Sequence, residues 1–109
     1  TRDRLLETSA SAGGAAAQMG DTLAAPAGAE VVVRVRVSHA PGATILLKGD
    51  GARLADQTEA SASGDETTAT FRLKSDGARR YVRAEARGPD GHLWLLGNPI
   101  YLNWAAAHR

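Results

Sequence analysis

Hydrophobic and polar positions alternate most cleanly over Glu30–Ser38 (EVVVRVRVS). Val31, Val33, Val35 and Val37 share one face of a strand; Glu30, Arg34, Arg36 and Ser38 share the other, broken only by Val32. Side chains alternate across a strand, so this stretch predicts a half-buried strand with its valines toward a core. In a helix the same valines would scatter around the circumference and each would lose χ1 freedom. The same period of two recurs in Glu66–Lys74 (ETTATFRLK), with Thr67, Ala69, Phe71 and Leu73 inward. It recurs in Arg80–Arg87 (RYVRAEAR), with Val82, Ala84 and Ala86 inward and Tyr81, Arg83, Glu85 and Arg87 outward. Residues 44–48 (TILLK) form a nearly continuous apolar run of strand length.

Weaker signals fill the intervals. Residues 4–9 (RLLETS) predict a short first strand, and residues 21–23 a brief one before the Pro26–Gly28 turn. The Ala/Gly-rich residues 9–20 are expected as a loop or bulged edge, because Gly13, Gly14 and Gly20 interrupt a run that Ala alone would make helical. Asp-Gly at residues 50–51 predicts a hairpin returning through residues 53–58 (RLADQT), and the polar residues 59–65 predict a loop. Turns follow at residues 75–78 and 88–91. Residues 92–96 and 99–103 form a last strand or strand pair, bent at Gly97 and Pro99. About seven short strands at roughly 8–12-residue spacing, with no amphipathic helix, predict an all-β, immunoglobulin-like antiparallel sandwich. Parallel βαβ architecture is excluded.

Length allows one domain over residues 1–109, enough for a real core but not for two. Thirteen Lys and Arg against twelve Asp and Glu leave a formal charge of +1, which argues against a dedicated nucleic-acid partner. No apolar run approaches the ~18 residues of a membrane span, so no membrane partner is expected. The absence of Cys excludes a disulfide scaffold or a thiolate metal site and leaves the compartment open. The sequence starts without Met, in what reads as the middle of a strand, and is expected to be a piece of a longer protein.

Candidate chemistry is sparse. His39, His92 and His108 stand apart beside turns or near the end, and are expected as exposed loop side chains rather than ligands of a metal, which needs three or more convergent groups. Asp50, Asp65, Asp76 and Asp90 adjoin Gly, Ser or turn residues; calcium or paired-carboxylate chemistry is the functional reading, turn stabilisation the structural one, and no Asp-x-Asp-x-Asp loop favours the former. Ser61, Ser63 and Ser75 carry no Gly-x-Ser-x-Gly motif, and no phosphate-binding Gly-rich string is present. The residues most open to a binding role are Trp94 and Trp104, which could stack on a glycan, fill a partner's pocket, or serve the core. Arg34 and Arg36, with Arg72, Arg83 and Arg87, project from outward strand faces. They could hold a phosphate or a partner; with Glu30, Glu66 and Glu85 interspersed, cross-strand ion pairing is the simpler reading.

From Val82 to Leu102 the string VRAEARGPDGHLWLLGNPIYL resembles the end of bacterial metal-dependent hydrolases with a PHP domain (polymerase and histidinol phosphatase type), the carbaryl-esterase-like group. Tyr81, Val82, Arg83, Glu85, Asp90, Gly91, Asn98, Pro99, Ile100 and Tyr101 carry the likeness, and Met19-Gly20-Asp21-Thr22-Leu23 resembles the start of the same C-terminal module. Gly97 departs from it, standing where the family usually has Thr. The resemblance implies a non-catalytic accessory domain that packs on, or orients substrate for, an upstream phosphoesterase domain of the same polypeptide. The divalent metal would belong to that domain, whose His and Asp ligands have no counterpart here, so no catalytic, cofactor or metal residue is assigned to this chain. Two other readings stand beside it: a glycan- or surface-binding module using Trp94 or Trp104, and a structural spacer repeat.

Overall fold

The computed structural model describes residues 4–49, 59–62 and 64–103. Among them ten strands form: β1 (Leu5–Ala12), β2 (Ala15–Gln18), β3 (Thr22–Leu23), β4 (Glu30–Ser38), β5 (Thr44–Gly49), β6 (Glu59–Ser61), β7 (Glu66–Lys74), β8 (Arg80–Arg87), β9 (Leu93–Leu96) and β10 (Ile100–Leu102). They make two sheets, one ordered β2-β1-β4-β7 and the other β3-β10-β8-β5-β6, with β9 also on β8. Taking β1, β4 and β7 as strands A, B and E, and β5, β8 and β10 as C, F and G, the order is that of an immunoglobulin-type sandwich. The all-β sandwich read from the alternation is therefore the fold.

The valine strand sits inside the first sheet. Val31, Val33 and Val35 are fully buried and Val37 nearly so. On one side they face Ala12, Ala10, Thr8 and Leu6 of β1, and on the other Leu73, Phe71, Ala69 and Thr67 of β7. Each fully buried valine contributes roughly 1.5–3 kcal/mol relative to an exposed one. Ile45 and Leu47 of β5, Val82, Ala84 and Ala86 of β8, and Ile100 and Leu102 of β10 supply the opposite half of the core. The small Ala84 and Ala86 lie in the same core cluster as Phe71, as expected of an alanine-lined strand.

The strand count differs from the sequence reading for identifiable reasons. Residues 9–20 are not a loop: β1 runs on to Ala12 and returns through β2, with Gly13 at φ 59° making the hairpin turn. Ala10 and Ala12 of β1 and Ala17 of β2 are buried, so small side chains mark close packing rather than irregularity. Residues 59–61 pair with β5 instead of looping. The sheet is also mixed, because β3 runs parallel to β10. The hairpin expected at residues 50–51 and its return strand lie outside the described residues.

Side-chain pins close the sandwich between β3 and β4. Asn103 adopts φ 63° and brackets Ala25: its Oδ1 accepts from Ala25 N at 2.8 Å and its Nδ2 donates to Ala25 O at 2.8 Å. The Ser75 hydroxyl donates to the same carbonyl at 2.5 Å and accepts from Gly77 N at 3.0 Å. Ala25 is fully buried, so these bonds satisfy backbone groups that water does not reach.

Candidate functional site

The arginine face belongs to the four-stranded sheet. Arg36 faces Glu7 directly on β1, with Nη1–Oε1 at 3.0 Å, and reaches Glu66 diagonally on β7, with Nε–Oε2 at 2.7 Å. The hydrogen bond and charge of Glu66, and then the charge of Glu7, push its ionisation above the ordinary guanidinium value. Arg72 pairs with Glu30 at 3.3 Å. Arg34, exposed between Ser9 and Thr70, has no ion-pair partner among the described residues. An open groove of about 530 Å³ runs along this face, lined among others by Glu7, Ser9, Gln18, Arg34, Arg36 and Thr68. The two arginines named from the sequence thus share one groove, but Arg36 is already neutralised by two carboxylates. Cross-strand ion pairing is what this face displays.

Trp94 lies on the other sheet, in β9. The register of β9 on β8 runs Glu85↔Leu96, Ala86↔Leu95, then Arg87↔Leu93, so Trp94 is the extra residue of a β-bulge. Its indole packs partly buried against the core. Gly88 lies directly against the ring: a Cβ built there would fall within 2.6 Å of Nε1. The Arg4 guanidinium stacks over the ring, 3.8 Å from its centroid. The tryptophan named as a binding platform is thus occupied by its own chain. Trp104 falls outside the described residues.

The bulge has a second effect. Leu93 and Leu96 are three positions apart and in a regular strand would point to opposite faces. Opposite Arg87 and Glu85 they share the outer face of the sheet, where they are 45% and 53% exposed. Leu46 of β5 flanks Glu85 from the other side. Glu85, read from the sequence as an outward solvated residue, is instead 8% exposed beneath these neighbours and holds Arg87 at 2.8 Å. Leu5 is also exposed, at 56%, next to Arg4. Leu93 and Leu96 were missed because LWLL shows no alternation; the charged Arg87 and Glu85 opposite them gave the only available signal.

Two of the described aspartates serve turns. Asp76 accepts from Ala78 N at 3.0 Å and pairs with Arg80 at 2.7 Å. Asp90 accepts from His92 N at 3.0 Å and lies 2.7 Å from His92 Nδ1. Both are held below the ordinary carboxylate range, Asp76 chiefly by Arg80 and Asp90 chiefly by the His92 amide. Turn stabilisation is the role these two aspartates fill. His92 is exposed as expected, whereas His39 is half-buried at φ 59°, its Nδ1 shielded and without a hydrogen-bond partner. His39 N donates to Asp65 O as the first bond beyond β4, which ties its backbone to the sandwich end. Among the described residues no three His, Cys, Asp or Glu converge as metal ligands. Comparison with family models, curated proteins and solved structures finds no match to this chain.

Proposed function

We propose that this chain is a non-catalytic accessory module of a PHP-type metal-dependent hydrolase, and that it holds an upstream catalytic domain against the outer face of its six-stranded sheet. The observation that supports this reading is the bulge at Trp94, which gathers Leu93 and Leu96 onto one exposed face of β9, between the Asp90-Gly91 and 98–101 stretches on which the resemblance rests. Exposed leucines gathered beside a structured tryptophan suit a protein contact better than a solvated surface. Arg4, just before β1, stacks on Trp94 beside these leucines. Six described carboxylates, Glu7, Glu30, Glu66, Asp76, Glu85 and Asp90, are meanwhile engaged within the module, by Arg36, Arg72, Arg80, Arg87 and His92. The contact is thereby moved from Arg34 and Arg36 to the leucine face, and a glycan platform at Trp94 loses its open ring.

Sequencing the coding DNA upstream of Thr1 tests the parentage. The expected result is an open frame running into a domain with His-x-His metal ligands; a frame encoding no such domain overturns the assignment. Turnover of a phosphodiester by this chain alone, with added divalent metal, would contradict its non-catalytic role.

A further inference from the structure

The longest strand at a sheet border is β7, and its hydrogen-bonding phase is readable. Ser75 N donates to Ala29 O at 2.9 Å at one end of the β4–β7 ladder, and His39 N donates to Asp65 O at 2.6 Å at the other. Both pairs continue the register Val31↔Leu73 to Val37↔Thr67. In an antiparallel ladder, hydrogen-bonded pairs recur at every second residue. Thr67, Ala69, Phe71 and Leu73 therefore bond to β4. The amides and carbonyls of Glu66, Thr68, Thr70, Arg72 and Lys74 point to the opposite edge. Among the described residues no strand pairs with that edge.

Unpaired strand edges recruit other strands unless they are short, kinked, covered or guarded by charge; the end charges of β7, Glu66 and Lys74, attract each other in a two-fold antiparallel pairing. β7 is nine residues long, and it contains neither Pro nor Gly. Its sequence is also self-complementary. Placed antiparallel to a second copy with Thr70 on the two-fold axis, Glu66 faces Lys74, Thr68 faces Arg72 and Thr70 faces Thr70. On the core side, small Ala69 faces large Phe71. This register brings together the groups left free by β4, because the even-numbered residues meet even-numbered residues across the axis. Glu66 holds Arg36 through Oε2, which leaves its other oxygen for the partner's lysine.

We infer that the chain forms a two-fold dimer through antiparallel pairing of β7 with β7 of a second copy, joining the two four-stranded sheets into one continuous sheet. Isologous contacts of this kind are the commonest route to homodimers. The surface is separate from the leucine face, so it does not depend on the proposed hydrolase partner.

Single-cysteine variants read the register directly, since the chain has no cysteine of its own. Across a hydrogen-bonded pair the Cα atoms lie about 5.5 Å apart, within the span a disulfide bridges. The exposed Thr70 is on the axis, so T70C should oxidise to a covalent dimer. T68C, whose equivalent positions are offset by four residues, should not. Sedimentation velocity of the unmodified chain should show concentration-dependent dimerisation. Thr70→Pro removes an amide that β4 does not use and should give a folded monomer by circular dichroism and sedimentation. A chain that stays monomeric to millimolar concentration overturns the inference, as does T68C cross-linking as readily as T70C.

Discussion

The outer faces of the two sheets begin from nearly the same sequence pattern and end differently. On the four-stranded sheet, outward Arg36 stands in water between Glu7 and Glu66, with about half of each side chain exposed. On the six-stranded sheet, outward Glu85 is buried to 8% while leucines beside it are exposed. Both residues sit at the polar phase of an alternating strand. The difference lies in the neighbours. Beside Arg34 and Arg36, the flanking outward positions on β1 and β7 are Glu7, Ser9, Thr68 and Thr70. β8 is flanked by apolar β5 and β9, which place Leu46 and Leu96 on either side of Glu85. Alternation reports which way a side chain points; exposure of the outward face depends on cross-strand partners distant in sequence.

Six substitutions break or sharpen that contrast, and the largest effect belongs to the layer beneath it. Val35→Asp places a charge where the wild-type residue is fully buried between Thr8 and Ala69. No counter-ion is within the core cluster, so the domain should lose its cooperative melt altogether. Retention of a sharp thermal transition by circular dichroism would show that the valine face is not the core.

Next is the bulge that creates the leucine face. Gly88→Val drives a branched side chain into the Trp94 indole, where even a single Cβ is crowded. Overpacking of this kind costs roughly 1–3 kcal/mol, read as a lower urea midpoint. Because the ring must move, tryptophan emission should shift to the red in the folded baseline. Unchanged emission and midpoint would mean that the indole is not seated on Gly88.

The two faces are compared directly by Glu85→Ala and Glu66→Ala. Each removes a carboxylate from an arginine, but the Glu85 side chain is 11% exposed and the Glu66 side chain 53%. A hydrogen bond to a charged group shielded from water is worth about 1.5–3 kcal/mol, and the loss of Glu85 should approach the lower end because Arg87 keeps its bond to Gly91 O. Glu66→Ala should fall within the scatter of ordinary surface changes, as should Arg36→Ala, because exposed ion pairs stabilise little. Equal losses for Glu85 and Glu66 in parallel urea titrations would erase the distinction between the faces.

How much of this was legible follows the same division between local and distant causes. β4, β7 and β8 were readable to the residue because a period of two is written into consecutive side chains. The β1–β2 hairpin was not, since alanine in a glycine-rich run carries little strand propensity and its place in the sheet comes from pairing beside β4. Trp94 was visible as a candidate, but the bulge that seats it against Gly88 depends on β8, and the exposed Leu93 and Leu96 follow from that bulge. Arg34 and Arg36 were placed on the correct face; the carboxylates that occupy Arg36 arrive from residues 7 and 66.

The smallest expected effect is also the most local. Asp90 caps the β8–β9 turn through the amide of His92, two residues on, and that bond is the main reason its carboxyl titrates below the usual 3.8. A carboxyl whose folded value is depressed stabilises the fold above its unfolded value and loses that contribution as pH falls through the folded one. The urea midpoint of Asp90→Ala should therefore lie below that of the wild type at pH 7, with the gap narrowing as the pH is taken below 3.8. An offset that stays constant from pH 7 to pH 3 would assign the effect to lost turn propensity rather than to the charged carboxylate. Asp76 should behave alike through Ala78 and Arg80, being depressed mainly by the Arg80 side chain. Added salt should therefore weaken the Asp76 contribution more than that of Asp90, whose main partner is an uncharged amide.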